Sequence, residues 1–257
     1  MASKSIAEVF TSIRSNITAL PSEAQCPVCG LFDTANPEVV ARMEAAGRPL
    51  FLAACRCAND AEVVERARCH RYHDAGLPHE REGYHRTMKN FRARTGTHDA
   101  MKAIIEYSRG EGPAILTLVG HTGTGKSHLL EAAGRAYLGQ GRTVRYAYVP
   151  LLTEQLRASN IPGAETDFHG LMEQYRGAYL LILDDLGERT TEFATEALTS
   201  LVEDRVMNGG RLLVATNLMQ DDVSHHYGYR LSSRLFDRSD TGRSAVVTMT
   251  ASDKRTE

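Results

Sequence analysis

Residues 120–127 read Gly-His-Thr-Gly-Thr-Gly-Lys-Ser and meet every fixed position of the pattern G-x-x-x-x-G-K-[ST]. The chemistry served by that spacing is the grip on a polyphosphate, the Walker A loop. Gly120, Gly123 and Gly125 let the backbone curl, so that the successive N–H groups of the loop, His121, Thr122 and Thr124 included, point inward at phosphate oxygens. A helix opening at Lys126 adds the positive end of its dipole. Lys126 carries a mobile charge for the β- and γ-phosphates, and the Ser127 hydroxyl suits Mg²⁺. An apolar run, residues 114–119, precedes the loop, which supplies the strand-loop-helix context the motif requires.

A second acidic feature follows. Residues 179–185, Tyr-Leu-Leu-Ile-Leu-Asp-Asp, form a buried strand ending in two carboxylates, the Walker B pattern. Asp184 is expected to hold the Mg²⁺ shell, through water, and Asp185 to polarise or position the attacking water. Two further residues complete a possible constellation. Asn217 follows the apolar run 212–216, where a polar side chain can hold the water near the γ-phosphate. Arg234 lies in Arg-Leu-Ser-Ser-Arg-Leu, residues 230–235, where a guanidinium given to a neighbouring subunit stabilises charge in the transition state. By themselves these two residues read better as a turn asparagine and a surface arginine.

The five cysteines suggest a different chemistry. Cys26-Pro-Val-Cys29-Gly and Cys55-Arg-Cys57 offer four thiolates to a tetrahedral Zn²⁺, a structural site because no position is left open. Cys69, His70 and His73 are alternative ligands, since the second pair is C-x-C rather than C-x-x-C. A module this small needs such a staple to fold. Ahead of it, Ile6, Val9, Phe10, Ile13, Ile17 and Leu20 share one face of a helix.

These residues must be carried by regular elements, and the chain supplies them. A helix from about residue 59 stops at Gly76-Leu77-Pro78, residues 76–96 form a linker, and residues 99–108 form a helix. From there strands and helices alternate, which indicates an α/β fold with a mostly parallel sheet. The strands are expected at 114–119, 143–149, 179–185, 211–216 and 246–250. Helices are expected after the phosphate loop, at 151–158, at 166–175 and across 193–202, the last closed by Gly209-Gly210. With 257 residues the chain suggests one or two domains. A net charge of -2 announces no nucleic-acid protein. Ten Lys/Arg between Arg66 and Arg109 leave a local basic face open. No apolar run reaches the length of a signal peptide or membrane span, so a cytoplasmic location without membrane contact is expected. The cysteines are then thiols or metal ligands rather than disulfides.

The phosphate loop, Leu-Leu-Ile-Leu-Asp-Asp-Leu-Gly at 180–187, Ala-Thr-Asn-Leu at 215–218 and the segment 230–235 together resemble the AAA+ ATPases of the DnaC/DnaI type, loaders of replicative helicases. The resemblance covers about residues 58–250. It implies a P-loop AAA+ domain at 97–257 with a five-stranded parallel sheet in the order 5-1-4-3-2; little sequence follows the last strand, so the helical lid of larger AAA+ proteins is expected to be missing. It implies ATP, Mg²⁺ and Zn²⁺ as cofactors. Asp185 takes the role of catalytic carboxylate, Asn217 that of sensor 1 and Arg234 that of arginine finger, with Arg230 as the competing finger. Residues 1–75 correspond to a helicase-contacting zinc module. The implied partners are a hexameric replicative DNA helicase, single-stranded DNA and further copies of the chain. Rival readings are an IstB-like helper of a DNA transposase, which shares the ATPase motifs, and a small-molecule kinase.

Overall fold

The computed structural model describes residues 71–77, 86–161, 167–187, 190–237 and 243–253. Cys26, Cys29, Cys55, Cys57, Cys69, His70 and the helix assigned near the N-terminus lie outside them. His73 lies within them and is exposed, with Asp74 as a neighbour. Among the described residues no group of three or more His, Cys, Asp or Glu side chains could hold a metal ion.

Five strands make one sheet. They are β1 (Ile115–Gly120), β2 (Val144–Tyr148), β3 (Leu180–Leu186), β4 (Arg211–Thr216) and β5 (Ser244–Met249), in the order β2-β3-β4-β1-β5. Every pairing is parallel. This is the order 5-1-4-3-2 implied by the resemblance, read from the other edge. The helices are α1 (His98–Ser108), α2 (Lys126–Gly139), α3 (Val149–Ser159), α4 (Phe168–Arg176), α5 (Glu192–Asn208) and α6 (Gln220–Leu235).

The three central strands, β3, β4 and β1, are largely apolar because both faces of the sheet are covered there, as parallel sheets require. The alternation of side chains divides them between two cores. Leu181, Leu183, Leu212 and Val214 face one core, with α3, α4, α5 and α6. Leu180, Ile182, Leu213 and Ala215 face the other, with α1 and α2. The upstream helix stops where glycine permits it: Gly76 has φ 69, and Leu77 N–H reaches back to the Tyr72 carbonyl. No element was assigned from sequence to residues 218–243, yet α6 runs there. Its apolar period is broken at Gly228, which leaves helical geometry with φ 83 and ψ 159. No helix among the described residues is long and apolar enough to cross a membrane.

Candidate nucleotide site

The carboxyl ends of parallel strands all open on one edge of the sheet, where helix N-termini also gather. β1 is buried along its whole length and delivers the chain into the glycine turn. Gly123 and Gly125 there have φ 79 and 102, conformations that a side chain resists. Space forbids a side chain as well. A Cβ on Gly125 would lie 2.9 Å from the Phe91 ring, and one on Gly123 would run into the Asp253 carboxylate. Lys126 at the start of α2 donates to the carbonyls of Gly120, at 2.6 Å, and His121, at 2.8 Å. Its ammonium folds back on the loop it belongs to. Burial lowers the Lys126 pKa, and the Asp184 and Asp185 carboxylates oppose that shift.

Asp184 and Asp185 stand two strands away from β1. Asp184 is buried, and Asp185 is exposed. Burial raises the Asp184 carboxyl above the usual carboxylate range, while hydrogen bonds from Tyr146 and Ser127 pull it back. Two hard oxygen donors, the Ser127 hydroxyl and the Asp184 carboxylate, thus sit side by side. That donor set fits a magnesium ion bound with water and phosphate oxygens. Asp185 has φ 62 and is the sole non-glycine residue with positive φ among those described. The register of β3 against β4 breaks between Leu183 and Leu186 at the same place. A bulge of this kind re-aims side chains next to active sites. It costs about 1–3 kcal/mol of local backbone strain. The Asp185 carboxylate, bonded to the Tyr148 hydroxyl, raises the pKa of that phenol.

Asn217 follows β4, which lies between β1 and β3 in the sheet. It is therefore set between the phosphate loop and the acidic pair, and it is exposed. Thr216 fixes this junction. Its hydroxyl donates to the Leu186 carbonyl at 2.7 Å and accepts the Leu218 N–H at 3.0 Å, wholly buried. Thr216→Val keeps the shape and leaves both partners unsatisfied. It is expected to destabilise the fold by about 1–3 kcal/mol, read as a lower midpoint in urea unfolding. A second tie comes from α6, where the Tyr227 hydroxyl donates to the Gly187 carbonyl at 2.7 Å. Burial, with the Asp185 charge, pushes the Tyr227 pKa up to about 12.

The two arginines differ in their surroundings. Arg230 gives Nε and Nη2 to one Glu203 oxygen, at 3.1 and 2.7 Å. Arg234 is exposed and lines a cavity of about 380 Å³ with Ala114, Ile115, Arg243 and Ser244. Those are the first residues of β1 and β5 and the residues just before them, so Arg234 stands at the end of the sheet opposite the phosphate loop. Five residue steps of β1 separate Ile115 from Gly120, about 16 Å at the usual rise. The side chain of Arg234 does not span that length.

The sequence motifs account for the phosphate loop and the acids but not for their neighbours. Tyr146 and Tyr148 on β2 each engage one of the two aspartates. Residues 86–97, most of them assigned to a linker from sequence, form a strap against the loop. Phe91 meets His128 edge to face at 5.2 Å, and Arg94 Nη2 donates to the Gly123 carbonyl at 3.3 Å. His128 Nε2 lies 3.0 Å from both the Thr87 carbonyl and Asn90 Oδ1.

A family model described as IstB-like ATP binding protein matches residues 79–255. No curated protein matches the chain. Among solved structures, the AMPPCP-bound DnaA from Aquifex aeolicus is 21% identical with a TM-score of 0.55, over 63% of this chain and 49% of that one. The chain thus spans about half of that relative's length. The DnaC helicase loader is 19% identical with a TM-score of 0.55, over 63% of this chain and 96% of that one. DnaI is 18% identical with a TM-score of 0.53, over 66% of this chain and 90% of that one. At these identities the likeness is one of fold.

Proposed function

Because the chain belongs to the IstB-like ATP binding protein family, we propose that it is an ATPase that loads a hexameric replicative helicase onto single-stranded DNA. The observation that carries the ATPase reading is the convergence at one sheet edge of the glycine loop, Lys126, Ser127, Asp184, Asp185 and Asn217. Backbone amides of residues 120–127 and the Lys126 ammonium grip the phosphates. Ser127 and Asp184 hold a magnesium ion, whose positive charge, when bound, offsets charge on the β- and γ-phosphates. Asp185 takes a proton from, or orients, the attacking water, and Asn217 steadies that water. Arg234 serves the γ-phosphate of an adjacent copy, because its own is out of reach. Self-association through the ATPase domain is therefore part of the activity, and hydrolysis governs release of the helicase.

The helicase-loading part of the reading is supported by the likeness to DnaC and DnaI, each matched over nearly its full length. In this reading residues 1–75 form the helicase-binding module, with Zn²⁺ on Cys26, Cys29, Cys55 and Cys57. Binding to single-stranded DNA is mainly electrostatic and weakens with salt. A pull-down with purified replicative helicase, using the full chain and a chain lacking the first 75 residues, tests the reading. Capture by the full chain alone is expected; equal capture after truncation refutes the domain roles.

The family model favours a second reading, an ATPase helper of a DNA transposase. It predicts preference for duplex over single-stranded DNA and capture of a transposase instead of a helicase.

A further inference from the structure

Residues 250–253 follow β5 and take no part in the ATPase reading, yet they lie on its phosphate loop. β5 pairs in parallel with β1 up to Met249 beside Gly120, so the chain leaving β5 emerges next to the chain entering the loop. Glycines let the two segments touch. A Cβ on Gly120 would lie 2.5 Å from the Met249 carbonyl oxygen, and the Asp253 carboxylate occupies the space of a side chain on Gly123. The strap holds the segment from its other side. The Thr250 N–H donates to the Gly96 carbonyl at 3.1 Å, and a Cβ on Gly96 would lie 2.8 Å from the Ala251 nitrogen. Ala251 is buried and Asp253 half-buried. A carboxylate is thus pressed against the middle glycine of a loop suited to hold anions.

The loop itself favours negative charge, through its N–H groups, the positive end of α2 and the Lys126 ammonium. Arg94 adds a guanidinium on the carbonyl of the same Gly123. The Asp253 carboxylate opposes all of these. Asparagine would fill the same space, so packing alone calls for no charge here. Whatever else the carboxylate engages, removing its charge leaves this rim of the loop one unit more positive. We propose that Asp253 is an affinity-setting residue of the nucleotide site, whose charge at Gly123 opposes the phosphates of the ligand and holds the affinity for ATP below the value the loop would otherwise reach. The inference rests on the ATP-binding reading and deepens it. Repulsion scales with the charge of the ligand, so it acts more on MgATP than on MgADP.

Titration of the full-length protein with ATP and with ADP in magnesium, read by displacement of a fluorescent ATP analogue, tests this. D253N keeps the shape and removes the charge. It is expected to tighten binding about threefold per unit of ligand charge, the Coulomb scale for groups a few ångströms apart in water, hence about tenfold for MgATP and about threefold for MgADP. D253E keeps the charge and should bind ATP no more tightly than wild type. A carboxylate that merely packs the segment onto the loop predicts the opposite sign for D253N, since a loosened loop grips less. Unchanged or weaker ATP binding by D253N would overturn the proposal, as would a gain for ADP as large as that for ATP, or a like gain in D253E. A wild-type protein that binds neither nucleotide nor the analogue would instead sink the ATPase reading on which the inference stands.

Discussion

Arg234→Ala is expected to lower ATP turnover by roughly 10³-fold, the usual scale for a finger that stabilises charge on the transferring phosphoryl group. Binding of nucleotide to the isolated subunit should stay unchanged. The reason is the separation described above: Arg234 lines a cavity at the start of β1, and the phosphate loop lies at its end. An effect on hydrolysis can then come only from a guanidinium supplied to another copy. Mixing wild type and variant in varying ratios separates the cases. Poisoning of wild-type neighbours supports the shared site, and a strictly proportional loss argues for isolated monomers. Arg230→Ala is the internal control. Its guanidinium is held by Glu203 on α5 of the same subunit, so its loss should reduce packing between α5 and α6 more than turnover.

The second large effect belongs to Asp185. Asp185→Asn is expected to reduce kcat by roughly 10²- to 10⁴-fold, the range for removal of a general base. Affinity for ATP should change by no more than a factor of a few. Asparagine is the informative replacement because it accepts positive φ more readily than other residues. The backbone at φ 62 is therefore kept while the proton acceptor is removed. Alanine would confound chemistry with strain. Stopped-time phosphate release alongside equilibrium nucleotide binding checks both halves. Loss of binding equal to loss of turnover would move Asp185 from chemistry to structure.

Local residue order settled a good part of this molecule. The glycines and Lys126-Ser127 impose their turn through backbone freedom and a helix start, both short-range properties. The central strands were legible because a sheet covered on both faces makes them apolar in runs, as in Leu180–Leu183. β4 was found at its observed limits, and the other strands to within two residues. The strand order came from the resemblance, because no property of a single strand names its neighbours. α6 escaped notice, since Gly228 interrupts the apolar period that would have signalled it.

Only the tertiary structure decided which arginine stands unengaged by an acid among the described residues, and which side chains attend the two aspartates. Tyr146 meets Asp184 across 38 residues, and Arg86 meets Glu131 across 45. Such pairs leave no spacing in the sequence, because a hydrogen bond depends on where two chain segments come to rest and not on the interval between them. The residues of the glycine loop declare themselves by type and order. Those that engage the two aspartates, Tyr146 and Tyr148, are ordinary tyrosines until the sheet brings them together.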